Sequence, residues 1–292
     1  YVSVAGNIIK ASKFNRSIAE MSKTPLTLSQ LLTVSRYDGH LPENKAELNY
    51  DLLELYVGWA SKKSVDNISH NKMCVLLAYI ACYLTKNNKF LCSVKELKEV
   101  IKACIKDLSG FFSDEFREGD IIKLIAELEH TVIFGREFGD TYGFVTHRTM
   151  QEYLTAYAIV TQNADAEYNE MNPIDIFRGK YLVRTWREVI VFAVLMNDGR
   201  LRQGIVNDLV KISEEKKENN YVYTNLLFDF ILNAVPIKLE CRHQIYELLF
   251  KNYITDAQIE KIYRLMLLEN DLARDFSEYI SGKFSESVSN NN

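Results

Sequence analysis

His147 is the side chain in this sequence best placed to do chemistry. It stands in Phe144-Val145-Thr146-His147-Arg148-Thr149-Met150-Gln151-Glu152-Tyr153-Leu154-Thr155-Ala156, where a short apolar run gives way to an amphipathic helix. The first turn of a helix offers backbone N–H groups without intrahelical partners and the positive end of the helix dipole, so it attracts an anion. An imidazole there adds a hydrogen bond or a charge to a phosphate. Two readings stand for His147 at this point: a phosphate-sensing corner, or a cap-region histidine that bonds nearby backbone. Gln151 and Glu152 read as structural residues that hold the helix against its neighbours. No catalytic residue is expected: no second acid or base stands at a readable spacing from Glu152, and no Gly-x-Ser-x-Gly elbow or Cys/His nucleophile pattern occurs.

The other chemically capable residues are dispersed. His40, His70, His130 and His243 are scattered, whereas zinc needs gathered ligands, so no metal site is expected. The five cysteines, Cys74, Cys82, Cys92, Cys104 and Cys241, form no C-x-x-C pair. Their odd number and spacing suit free thiols in a reducing compartment, which implies a cytoplasmic setting. Cys74 and Cys82 lie in an apolar run and read as core residues, with metal ligation as the other reading.

The elements that must position His147 are mostly helices. The 292 residues are 47% hydrophobic and 25% charged, enough apolar surface for a real core, and only 12 Gly and 4 Pro interrupt them. The net charge of −4 disfavours nucleic acid as main partner, because phosphate contacts need a surplus of Lys and Arg on one face. No apolar run reaches the ~18 residues of a membrane span. The start, Tyr1-Val2-Ser3-Val4-Ala5-Gly6, lacks both a Met and a signal-peptide pattern and reads as the inside of a longer chain.

Along the chain, a helix is expected from Ile8 to about Met21. Thr24-Pro25 then opens another, with Thr24 as cap and Pro25 at the first helical position. Leu48, Leu52, Leu55 and Trp59 mark a further helix, and Lys62 to Asn67 a polar break. Met73 to Leu84 is a buried helix, and Ser93-Val94-Lys95-Glu96 a capping box that opens the next. A helix from about Asp120 to Glu129 precedes two strands, Thr131–Phe138 and Tyr142–Val145, around Gly139-Asp140. Three helices and a hairpin describe a winged helix. Tyr168 to Pro173 reads as a linker. Beyond it come helices near 186–196, 204–213, 223–233, 241–252 and 255–268, the last opened by the capping box Thr255-Asp256-Ala257-Gln258, and a polar tail from Ser285. The expected fold is mainly α: a helical domain (residues 1–66), a winged helix with a short β-hairpin (67–165), and a helical-repeat-like C-terminal domain (166–292).

Three ordered stretches resemble the C-terminal half of a NACHT-type NTPase of the STAND class of signalling ATPases. Thr24-Pro25-Leu26-Thr27-Leu28-Ser29-Gln30-Leu31-Leu32 with Gly39-His40-Leu41-Pro42-Glu43-Asn44-Lys45-Ala46-Glu47-Leu48 is similar to the family's "P-L-x-L-x-x-L … G-x-L-P-x-x-R-x-x-L". Phe144 to Ala156 is similar to "F-x-H-x-x-x-Q-E-[FY]-L-x-A", with Thr146 where the family has Leu. Thr185-Trp186-Arg187-Glu188-Val189 is similar to the "W-x-E-V" that opens the next helical domain. The likeness covers residues 8 to 196. It implies that Pro25 packs near an adenine and that His147 reaches the β-phosphate of bound ADP. It also implies an ADP-held off state released by exchange for ATP with Mg²⁺, then homo-oligomerisation and effector firing in innate immunity or antiviral defence. The sequence departs from the family in having no G-x-x-x-x-G-K-[ST] loop and no apolar strand ending in acidic Mg²⁺ ligands. This chain alone is therefore not expected to hydrolyse ATP. Nucleotide would be held only together with an N-terminal ATPase core, its first partner, and a protein trigger could meet the C-terminal helices. The alternatives are a winged-helix nucleic-acid-binding module and a helical protein-interaction scaffold.

Overall fold

The computed structural model describes residues 2–13, 15–63, 69–112, 118–144, 148–196, 199–216, 220–233, 235–251, 262–263 and 271–289. Over these residues the chain is mainly α-helical with one small antiparallel sheet. The elements are α1 (Val2–Ser12), α2 (Arg16–Met21), α3 (Pro25–Asp38), α4 (Lys45–Lys63), α5 (His70–Lys86), β1 (Leu91–Ser93), α6 (Val94–Asp107), α7 (Glu118–His130), β2 (Gly135–Arg136) and β3 (Thr141–Gly143). Then follow α8 (Arg148–Val160), α9 (Ala166–Glu170), α10 (Pro173–Arg178), a 3-10 turn (Arg184–Trp186), α11 (Arg187–Met196), α12 (Arg200–Glu215), α13 (Asn220–Leu232), α14 (Leu239–Lys251) and α15 (Asp271–Ser289). Among the described residues no helix is long and apolar enough to cross a membrane. Contacts gather the chain into two compact units, residues 33–202 and residues 1–32 with 203–292.

The unit of residues 33–202 is organised around α5. Met73 to Leu84 offers almost no polar face, so the helix must be covered on all sides. Leu76, Leu77, Ala78, Ile80, Ala81 and Leu84 are all fully buried. Its tyrosines send their polar tips to α6, where the Tyr79 hydroxyl donates to Asp107 (2.7 Å) and the Tyr83 hydroxyl to Glu96 (2.8 Å). Helix α8 packs along α5 and along α11. The Ser93 box forms as the sequence implies: Ser93 Oγ accepts from the Glu96 N–H (3.2 Å), and a bond from the Ser93 backbone helps hold the Glu96 carboxyl low, after the bond from Lys89.

The sheet has the order β1-β3-β2, with Leu91 opposite Gly143 and Gly135 also opposite Gly143. Gly143 is required there. A Cβ on it would sit 2.6 Å from Leu91 Cδ2 and 2.7 Å from the Phe90 carbonyl oxygen. Gly139 turns the hairpin with a φ of +58°, a conformation that L side chains rarely adopt.

Several elements differ from the sequence expectation. The first hairpin strand is only Gly135–Arg136, because Val132 takes a left-handed φ of 63° and Thr131 bonds back to Leu128, so the chain is still leaving α7. Strand β1 is unexpected, since three residues between a turn and a cap carry no periodicity. The expected helix from Ile8 to Met21 is two helices, broken where the Asn15 side chain caps α2. Tyr168 to Pro173 is no linker: Asp165 caps α9, and Asn172 with Pro173 opens α10. The polar tail is helical through Ser289, carried by buried Ala273 and Phe276. The expected helix near 255–268 with its Thr255 box, and most of the polar break before Ser69, lie outside the described residues.

The other unit closes its C-terminal helices with aromatics. Tyr246 of α14 meets Phe276 of α15 edge-on at 4.7 Å. Between the same helices Asp275 accepts from Tyr246 (3.2 Å), bonds His243 (3.1 Å) and pairs with Arg242 at 3.6 Å.

Candidate functional site

Helix α8 positions the residues of the Phe144–Ala156 stretch. Phe144 is anchored edge-on against Phe134 at 5.2 Å, which fixes the end of the hairpin. His147 itself lies outside the described residues. The helix begins at Arg148, whose guanidinium covers the Phe90 ring at 4.8 Å and donates to Glu152 (2.9 Å). Behind Arg148 the space enclosed by Thr85, Lys89, Gln151 and Thr185 is about 20 Å³, room for a single water.

One turn in, α8 carries two polar residues on its buried side. Gln151 Nε2 donates to Thr85 Oγ1 (3.1 Å) and to the Lys89 carbonyl (3.0 Å). Thr85 and Thr155 hydroxyls meet at 2.8 Å, and Thr155 donates to the Gln151 carbonyl (2.8 Å). These bonds form a closed ring of donors and acceptors that ties α8 to the last turn of α5. The structural role read for Gln151 is borne out by it.

Glu152 faces a charged patch. Lys45, the first residue of α4, pairs with Glu188 of α11 at 2.5 Å and lies over the Phe192 ring at 5.1 Å. Phe192 in turn meets Tyr153 edge-on at 5.6 Å. Burial pushes the Glu152 carboxyl up to about 7; the Glu188 carboxylate adds to this, while Arg148 and Lys45 oppose it. Lys45, Glu152 and Glu188 come from the three separate stretches singled out in the sequence.

Beside this patch a cavity of about 370 Å³ opens between α4, α8 and the end of α11, lined by Glu47, Tyr50, Tyr153, Tyr157, Leu195 and Met196 among others. Asn44 and Glu47 fix its rim. Asn44 Oδ1 caps α4 by accepting from Ala46 N (2.9 Å) and Glu47 N (3.1 Å), and Glu47 reaches back to accept from Glu43 N (2.6 Å).

Pro25 occupies the first position of α3, behind the Thr24 cap that accepts from Thr27 N (3.2 Å), and its side chain is exposed. It belongs to one compact unit and α8 to the other.

The fold also gathers residues that the sequence scan treats as isolated. His70 and Cys74 stand one turn apart on α5, and Glu54 of α4 reaches them. One ligand atom from each lies within 4.8 Å of the others, and His70 Nε2 is 3.0 Å from Glu54 Oε1. The legible signal was the H-x-x-x-C spacing, which puts both side chains on one face of a helix. The Glu54 contribution comes from tertiary packing and has no local signature. No protein-family model matches this chain, and no curated protein matches it.

Proposed function

We propose that this chain is the regulatory C-terminal part of a NACHT-type STAND signalling ATPase, with a winged helix that holds ADP and the inactive state. The observation that carries the reading is the charged patch. Lys45, Glu152 and Glu188 belong to the three motif stretches, and Lys45 and Glu188 are 143 residues apart in sequence yet form an ion pair. Motifs that merely coincide have no reason to meet in space. The element order supports the same reading: α5, β1, α6 and α7 followed by the β2–β3 hairpin suits a winged helix, with α8 leaving the hairpin at the point of the phosphate-sensing motif.

In this reading the protein works by restraint. The Gln151 ring fixes α8 against α5, and so fixes the start of the helix next to His147, while the Lys45–Glu188 pair ties α4 to α11. ADP held by the N-terminal ATPase core then finds an imidazole and a helix N-terminus at its β-phosphate. Exchange for ATP with Mg²⁺ removes that fit, the winged helix separates from the core, and the freed surfaces support oligomerisation and signalling.

The winged-helix nucleic-acid reading is disfavoured by α7. In a DNA-binding winged helix the third helix enters the groove, but α7 carries Glu118, Asp120, Glu127 and Glu129 against Lys123 and His130. The test uses the full-length parent with its ATPase core. ADP released on denaturation of the purified protein is quantified for the wild type and for His147→Ala. Loss of co-purifying ADP with activation of the effector supports the reading; full retention in the variant overturns the role of His147.

A further inference from the structure

We propose that Glu54, His70 and Cys74 form a binding site for a divalent transition-metal ion of the zinc type, its fourth position left to water. The donor set carries the argument. An imidazole nitrogen, a sulfur and a carboxylate oxygen are the three ligand types zinc takes from proteins, and three protein ligands with one open position is a recurrent arrangement. The sulfur and nitrogen donors disfavour magnesium and calcium, which take oxygen. A thiolate and a carboxylate also neutralise a dication, so the loaded site buries no net charge.

The geometry needs little rearrangement. Tetrahedral zinc with bonds of 2.0–2.3 Å sets its donor atoms roughly 3.3–3.6 Å apart. The Glu54 and His70 atoms already stand at 3.0 Å, so the ion takes the place of the proton they share. All three donor atoms lie within 4.8 Å of one another, within reach of side-chain torsions alone. His70 and Cys74 are held by a single rigid helix whose first turn is capped by Ser69, accepting from Lys72 N at 3.3 Å. The way in is open: the side chains of Glu54 and His70 are 43% and 28% exposed, while Cys74 closes the floor at 5%. On loading, the Cys74 thiol gives its proton to solvent and its sulfur lone pair to the metal, and the proton on His70 Nε2 passes through solvent to Nδ1 so that the Nε2 lone pair can ligate; nothing is oxidised or reduced. This site is independent of the nucleotide reading.

The experiment titrates the full chain, reduced and stripped of metal, with Co²⁺. One equivalent is expected to produce a thiolate-to-cobalt charge-transfer band with the intense visible bands of four-coordinate cobalt, all bleached by Zn²⁺. Cys74→Ser removes the charge-transfer band. His70→Asn and Glu54→Gln, which change part-exposed side chains, weaken Co²⁺ binding about tenfold or more and serve if the Cys74 variant misfolds. No charge-transfer band in the wild type overturns the site. So does a band that survives Cys74→Ser and disappears in Cys241→Ser.

Discussion

Helix α8 meets its neighbours through two polar regions made from adjacent residues. Toward α5, Gln151, Thr85, Thr155 and the Lys89 carbonyl form a neutral ring in which each donor meets an acceptor. Toward α4 and α11, Glu152 joins Arg148, Glu188 and Lys45 in a patch of two acids and two bases. Both regions bury polar atoms, but their energetics differ. The neutral ring loses little on desolvation because its bonds are complete, so removing one member orphans the rest. The charged patch keeps a carboxyl that burial and a like-charged neighbour both discourage from ionising, so removing that charge relieves the fold. One region locks the helix in register; the other leaves it a tension that neutral pH can tune.

The largest effect is expected from breaking the ring. Gln151→Ala should cost about 3 kcal/mol, from two lost bonds, an orphaned carbonyl and a small cavity, read as a fall in the urea midpoint of the full chain. Unchanged stability would mean that the ring contributes nothing and that the two regions are alike. Glu152→Gln should act with the opposite sign. Its folded-state carboxyl is raised above the ordinary 4.5 to about 7, so between those values the folded chain keeps a proton the unfolded chain has lost. Stability therefore falls as pH rises through that window, and the full penalty stands above it. The shift, which already includes the opposing pull of Arg148 and Lys45, bounds the penalty at roughly 3 kcal/mol, and burying the glutamine amide in place of the carboxyl offsets part of it. Glu152→Gln is expected to stabilise by about 1–2 kcal/mol at pH 8 and by nothing at pH 4, measured as paired urea curves.

Two smaller changes sharpen the contrast. Thr155→Val keeps the shape but removes one hydroxyl from the ring, and about 1 kcal/mol of destabilisation should appear in thermal melts. Arg148→Ala removes the outer partner of Glu152. With that arginine side chain half exposed, chemical denaturation should register less than about 0.5 kcal/mol. A larger loss from Arg148→Ala than from Thr155→Val would reverse the ranking of the two regions.

The mainly helical class was legible because leucine spacing, the Thr24 and Ser93 caps and the apolar Met73–Leu84 run are local signals. So was the structural part of Gln151, since it falls on the buried side of an amphipathic helix. The sheet was half legible: Gly139 announces the turn, but β1 depends on pairing with β3, which no three-residue segment declares. The Lys45–Glu188 pair and the Glu54–His70–Cys74 group were not legible for the same reason. Each joins residues from different helices, and the sequence carries only half of each, a lysine at a helix start and a histidine four before a cysteine. The histidine on which the phosphate reading turns falls outside the described residues, so its role rests on the motif around it.

Helix α5 carries a consequence for how the protein comes apart. With almost every side chain from Met73 to Thr85 sealed from water, no part of that stretch can loosen without dismantling what surrounds it. Its backbone amides should exchange with deuterium only when the whole 33–202 unit opens, and their rate is a built-in gauge of that unit's global stability.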